Sequence, residues 1–247
     1  MSSYESSTTV AVVTPTNAEL LGALLTEQLG SPSSWISSTE IRTVRDEFAA
    51  ALRTPSCVGS LLRSPVFSLA GFDTSVIASA NASLSATGLV PEPVLRSLTA
   101  GIEALESKIL GVERKATSIL TQRALVDLGF KVRSLDSATA TAIEARRGHT
   151  VMLTKLENGG GQLTDWLGHG GSDCEADMAA VALAKGAHGI HSSPARRIAH
   201  GSTEGGPLFE RASRLGDGDL LVGVLTEDAP SAGGQPLRSS QPLRLRA

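Results

Sequence analysis

The chain has 247 residues, of which 41% are hydrophobic, 19% are charged and 3% are aromatic, and its formal net charge at pH 7 is −3. That length is sufficient to bury a hydrophobic core, in one large domain or in two small ones. The small negative charge gives no overall electrostatic argument for binding to nucleic acid or acidic membranes, and no run approaches the roughly 20 apolar residues of a membrane-spanning helix.

The predicted fold class is α+β, with a helical N-terminal half, a small antiparallel β-meander closed by one helix, and a disordered C-terminal tail. The N-terminal segment, residues 1–35, begins with the polar residues 1–9, which we expect to be loose. Thr16 and Glu19 have the spacing of a capping box, and the five leucines that follow indicate a short helix before Gly30.

A helical region is predicted over residues 36–128. It opens with a second capping box, Ser37 with Glu40, ahead of an amphipathic helix. Its main feature is a long coiled-coil-like helix over residues 94–128, because Pro93 suits the first turn of a helix.

Apolar residues recur along this long helix at alternating spacings of three and four, which is the a/d pattern of a coiled coil. The heptad stripe consists of Leu95, Leu98, Ile102, Leu105, Ile109, Val112, Ala116 and Ile119. Such a stripe must be buried against another helix, which belongs to a second copy, to a partner protein or to this chain. The internal candidate is the helix that carries Ile41 and Phe48. We favour self-association, and we expect the turns after Ile119 to pack on the sheet that follows.

Residues 129–191 are predicted to form an antiparallel meander plus one helix. The four predicted strands are 130–135, 139–145, 151–156 and 162–167. Turn signals at Arg147-Gly148 and at the glycines 159–161 separate them. Ser172 and Glu175 form a third capping box, which opens the closing helix.

The C-terminal region, residues 192–247, is rich in Gly, Pro and Ser and is predicted to be flexible. The apolar run from Leu220 to Leu225 is interpreted as one added strand. From Ala229 onward we expect disorder.

A glycine-rich turn between the last meander strand and the closing helix is a candidate binding site. It contains Gly168, Gly170, Gly171 and Ser172. Backbone N–H groups at a helix N-terminus can bind phosphate or another anion, although this turn lacks the Walker and dinucleotide-binding motifs. An ordinary tight turn followed by a helix cap explains the same residues.

Cys174 and His169 flank that turn and are weak candidates for catalysis. A cysteine at the start of a helix has its thiolate favoured by the helix dipole, and a nearby histidine can act as a base. Against this, free cysteines are usually small core residues. Together with His188 and His191, these two residues do not have the sequence spacing of a zinc site. Neither a metal site nor a cofactor is therefore predicted.

The predicted function is a non-enzymatic oligomeric scaffold or adaptor of the cytoplasm, acting through the heptad stripe. One alternative is an enzyme or an anion- or nucleotide-binding module that uses the turn at residues 168–175. The other is a nucleic-acid accessory protein. Its candidate residues are the pairs Arg146-Arg147 and Arg196-Arg197, but basic residues are scattered and aromatic residues are scarce.

Overall fold

The computed structural model describes residues 2–6, 8–30, 37–51, 58–68, 72–168, 173–200, 206–215 and 218–226. In chain order the elements are strands β1 (Ser2–Ser6) and β2 (Thr9–Ala11), helices α1 (Ala18–Leu29), α2 (Ser38–Ala51) and α3 (Val58–Leu61), a 3-10 turn (Pro65–Ser68), helices α4 (Thr74–Thr87) and α5 (Glu92–Asp127), strands β3 (Lys131–Asp136), β4 (Ala140–Arg147), β5 (Thr150–Glu157) and β6 (Gln162–Leu167), helix α6 (Asp173–Ala187), strands β7 (Ile190–Ser192) and β8 (Arg196–His200), and helices α7 (Pro207–Leu215) and α8 (Leu220–Leu225). The predicted α+β class is confirmed. Within these ranges no helix is long and apolar enough to cross a membrane.

Helix α5 is the long helix that the heptad pattern predicts. Pro93 lies in its first turn, and Gly129, just past its end, has a left-handed φ of 81°. Glycine adopts that conformation without the steric cost of a Cβ, so it ends the helix at low cost. The predicted bounds 94–128 are confirmed to within two residues.

The heptad stripe of α5 is buried inside the chain. Six of its members are 0–3% exposed and lie in one core cluster with residues of α1, α2 and α4; they are Leu98, Ile102, Leu105, Ile109, Val112 and Ala116. Leu95 and Ile119 are partly buried against the same cluster. Ile41 and Phe48 of α2 pack there too, so the stripe has the internal partner that was the alternative to self-association.

Two buried carboxylates join α5 to α2. Glu113 accepts a hydrogen bond from the backbone N–H of Ser38 at 2.7 Å, at the N-terminus of α2. Glu106 accepts hydrogen bonds from Arg45 at 2.6 Å and Arg42 at 3.3 Å. The two glutamates are 7% and 8% exposed, so these contacts satisfy charges that would otherwise be costly to bury.

Of the two N-terminal capping boxes, one forms and one does not. The backbone N–H of Ser37 donates to Glu40 at 2.7 Å, and the Glu40 N–H donates back to the Ser37 hydroxyl at 3.3 Å. The box predicted at Thr16 is wrong, because Asn17 directly precedes α1. The Asn17 amide instead donates to the carbonyl of His188 at 3.0 Å and so ties this turn to the segment before β7.

The sheet is antiparallel throughout, in the order β3-β4-β5-β6-β1-β8, and β2 pairs separately with β7. The four predicted meander strands correspond to β3–β6, with ends shifted by at most two residues. The expectation of a loose segment at residues 1–9 is wrong, because β1 lies between β6 and β8. Backbone hydrogen bonds to both neighbours hold a strand that shows little apolar periodicity.

Both faces of the sheet are covered. On one face Ile143, Met152 and Trp166 form a core cluster with Leu125 of α5 and with Val181 of α6. This confirms that the last turns of α5 pack on the sheet. On the other face Ala142 and Leu153 pack against apolar residues of α7 and α8.

The C-terminal region contains ordered elements as far as residue 226, so the expectation of a flexible region from residue 192 is wrong for β8, α7 and α8. The predicted strand Leu220 to Leu225 is a helix, and the Asp219 carboxylate accepts a hydrogen bond from the Leu221 N–H at its start. Gly223 packs so closely on α7 that a Cβ would lie 2.3 Å from the carbonyl oxygen of Ala212. Residues 227–247, predicted to be disordered, lie outside the described residues.

Candidate functional site

A pocket of about 350 Å³ opens between the sheet, α5 and α6. Its inner wall contains apolar side chains from β5, α6 and β7, namely Met152, Met178, Val181 and Ile190. Its rim is formed by the segment 191–195, most of which is exposed. A volume near the lower end of the range for ligand pockets suits a small molecule.

Lys185 is a buried lysine that lines this pocket. It follows Met178 and Val181 at helical spacing, so the helix that buries those residues against the sheet also buries the lysine, which is 5% exposed. Its ammonium donates a hydrogen bond to Gln162 Oε1 at 2.6 Å. Burial lowers the pKa of Lys185 from its ordinary value of 10.5 to about 8, because removal from water penalises the charged form.

The amide of Gln162 extends the contact of Lys185 into a chain of polar groups. Gln162 Nε2 donates to the hydroxyl of Thr164 at 2.9 Å, and the hydroxyls of Thr164 and Thr154 are 3.1 Å apart. The bond between the two hydroxyls uses one O–H hydrogen. One threonine hydrogen therefore remains available to a ligand.

Thr121 of α5 also lines the pocket. It is 1% exposed, and its Oγ1 is buried without a hydrogen-bond partner among the described residues. A buried hydroxyl without a partner costs about 1–3 kcal/mol.

Among its described lining residues, the pocket has a buried positive charge and no acidic side chain to balance it. Among the lining residues that the structure describes, Lys185 and His191 are the titratable side chains, and none is Asp or Glu. Since a buried charge is normally paired, the arrangement is that of a site which receives its negative charge from a ligand.

Of the glycine-rich turn, Gly168 lies within the described residues. Its φ is 87°, and a Cβ at this position would lie 2.2 Å from the carbonyl oxygen of His149. Glycine is therefore required for a close approach of two backbone segments. His169, Gly170, Gly171 and Ser172 are outside the described residues, so the anion site predicted there stays a prediction.

Cys174 lies in the first turn of α6, but its side chain is outside the described part of the structure. The predicted pairing of Cys174 with His169 therefore stays a prediction.

The two other histidines considered as metal ligands, His188 and His191, have different surroundings. His188 Nε2 is 2.7 Å from a carboxylate oxygen of Asp127, whereas His191 lines the pocket. No group of three or more potential metal ligands occurs in the described ranges.

Three of the four arginines in the two pairs, Arg146, Arg147 and Arg197, contact carboxylates of this chain. Arg147 makes two hydrogen bonds to Asp177, at 2.7 and 2.8 Å, and lies over the ring of Phe130. Arg146 pairs with Glu144, and Arg197 pairs with Glu175 at 3.1 Å. These contacts give the three arginines a structural role.

Lys185 was missed in the sequence because a lysine in the last turn of a helix is the usual partner of the helix dipole at the surface. The signal that identifies it is its spacing. It stands seven residues after Met178 and four after Val181, on the apolar face of α6.

Comparisons with protein-family models, with curated proteins and with solved structures yielded no match. The function is therefore inferred from the geometry of the pocket.

Proposed function

We propose that this protein binds a small organic anion, a carboxylate or a phosphate ester, in the pocket around Lys185. The observation that carries the proposal is a buried ammonium in a ligand-sized pocket whose described lining contains no acidic residue. An anionic ligand would supply the missing counter-charge.

The energetics favour such a ligand. The lowered pKa of Lys185, about 8 against 10.5, corresponds to about 3 kcal/mol of unfavourable free energy for the charged form. A bound anion offsets part of that free energy, because it stabilises the charged amine through a charge-assisted hydrogen bond. The Thr154–Thr164 pair supplies one further hydrogen-bond donor, and the apolar wall accommodates the organic part of the ligand.

The two macromolecular functions predicted from the sequence remain open. Self-association stays a prediction, but the surface named for it, the stripe from Leu95 to Ile119, is occupied by helices of the same chain. A scaffold would therefore need another surface. Nucleic-acid binding also stays a prediction, and the contacts of Arg146, Arg147 and Arg197 with carboxylates offer it no support.

Binding can be measured by the fluorescence of Trp166, which is fully buried and donates from Nε1 to the sulfur of the pocket residue Met178 at 2.9 Å. A Trp35→Phe background leaves Trp166 as the single tryptophan. Titration with lactate, butyrate and inorganic phosphate at pH 7 should give a saturable change for at least one of these anions. Lys185→Met should weaken that binding by about tenfold or more, equivalent to about 1.4 kcal/mol.

The matched control is Lys155→Met, because Lys155 forms an ion pair with Glu157 outside the pocket. Affinity should also fall by about tenfold per pH unit above pH 8, where free Lys185 loses its proton. A His191→Gln variant separates the contribution of the other titratable lining residue. No saturable change with any anion, or equal binding by Lys185→Met, would contradict the proposal.

A further inference from the structure

We propose that Lys185 is a nucleophile that forms an imine with small 2-oxo acids. The inference rests on the proposed function, since it assigns the substrate class of the same pocket. Its basis is a buried amine that lines a cavity of about 350 Å³ beside an apolar wall and the hydroxyls of Thr154 and Thr164.

Lys185 differs from the other lysines in its surroundings. The chain contains five lysines: Lys108, Lys115, Lys131, Lys155 and Lys185. Lys185 is the buried one, and the others are exposed or half-exposed. Its ammonium donates to a neutral amide oxygen, that of Gln162, and no carboxylate of the described lining holds it in the charged form. With a pKa of about 8, its neutral fraction at pH 7 is about 300-fold larger than that of an ordinary lysine.

The reaction is a condensation that releases water. The lone pair of neutral Nζ attacks the ketone carbon, a C–N bond forms, and the carbonyl oxygen takes up a proton to give a carbinolamine. Nitrogen then loses a proton, the hydroxyl group takes one up and leaves as water, and a C=N bond remains. His191 and the threonine hydroxyls lie in the same pocket and can exchange these protons.

The carboxylate of a 2-oxo acid complements this chemistry. A protonated imine keeps a positive charge on nitrogen, and the described lining offers no anion to balance it. In a 2-oxo acid the carboxylate is attached to the carbon that becomes the imine carbon, so the substrate brings its own counter-charge. The Thr154–Thr164 pair has one hydroxyl hydrogen left to donate to that carboxylate.

The test is reductive trapping with sodium cyanoborohydride, which delivers hydride to the imine carbon and fixes the adduct as a secondary amine. The full chain is incubated with pyruvate, and the adduct is located by peptide mass spectrometry. We expect modification at Lys185 at least about tenfold faster than at any other lysine, since more of its amine is neutral at pH 7. The rate should rise from pH 6 to pH 8, whereas simple anion binding should stay nearly constant over this range and fall only above pH 8.

Two ligands and two variants make the outcomes distinguishable. Lactate, which has the carboxylate but no ketone, should compete with pyruvate, and acetone, which has the ketone but no carboxylate, should react slowly. Lys185→Arg should abolish the adduct while leaving any reaction of the N-terminal amine, and Lys155→Arg should not change it.

Selective trapping at Lys185 that lactate suppresses supports the inference. Absence of an adduct while lactate still alters Trp166 fluorescence overturns imine formation and leaves the proposed function standing. Absence of both responses overturns the two proposals together. Equal rates with acetone and pyruvate overturn the assignment to 2-oxo acids.

Discussion

Burial of the Lys185 ammonium lowers the stability of the folded protein at neutral pH. Its pKa is about 8 in the folded chain and 10.5 in water, so between these values the unfolded chain binds more protons. Stability therefore rises with pH through this window, and the penalty is fully present below pH 8. The total change attributable to Lys185 is about 3 kcal/mol.

The variant Lys185→Met isolates this effect. We expect its free energy of unfolding, relative to wild type, to fall by about 3 kcal/mol between pH 7 and pH 10.5, because the wild type gains stability as Lys185 becomes neutral in both states. Urea unfolding followed by circular dichroism at several pH values measures the difference. The free energy of unfolding of Lys155→Met should change with pH in parallel with that of the wild type. If the unfolding free energy of Lys185→Met also changes with pH in parallel with the wild type, the buried amine does not titrate in this range.

At the scale of secondary-structure elements, buried glutamates decide which helix covers the heptad stripe. The apolar residues of α5 fit any helix with a complementary face, whereas Glu113 fits one helix start, that of α2 at Ser38. Glu106 adds contacts with two arginines of α2. Polar contacts of this kind distinguish between packings that apolar area alone leaves equivalent.

Glu113→Ala should destabilise the protein by about 1–3 kcal/mol, because it leaves the N–H of Ser38 buried without its acceptor. Glu103→Ala is the matched control on the same helix, since Glu103 is exposed, and it should change stability by no more than about 0.5 kcal/mol. The denaturant concentrations at the unfolding midpoint measure both effects, provided that the m-value is the same for the variants and the wild type. Equal midpoints for the two variants would show that Glu113 does not stabilise the α2–α5 contact.

For the molecule as a whole, the internal burial of the stripe predicts the mass in solution. We expect light scattering behind a sizing column to give the monomer mass of 25.5 kDa across a concentration series, because the heptad side chains are already covered within one chain. A mass that doubles with concentration would contradict this and would return self-association to first place, through a surface other than the stripe.

Local signals predicted much of the fold and little of the candidate site. Pro93 and Gly129 mark the ends of α5 by their backbone preferences, and the glycines 159–161 separate β5 from β6. These effects act within a few residues. The pocket instead combines Thr121, Gln162 and Lys185 from three elements, and their proximity depends on how α5 and α6 pack on the sheet. The spacing of Lys185 after Val181 was the available clue.

The α+β class, the bounds of α5 and the four-strand meander follow from the sequence, because torsional preference and apolar periodicity are properties of short segments. Tertiary packing is what makes β1 an interior strand of the sheet, places α7 and α8 on the second face of the sheet, and buries the heptad stripe within the chain. It also decided that Lys185 is buried. Each of these outcomes depends on backbone hydrogen bonds or on desolvation between segments distant in the chain, and such interactions exist only once the segments have packed together.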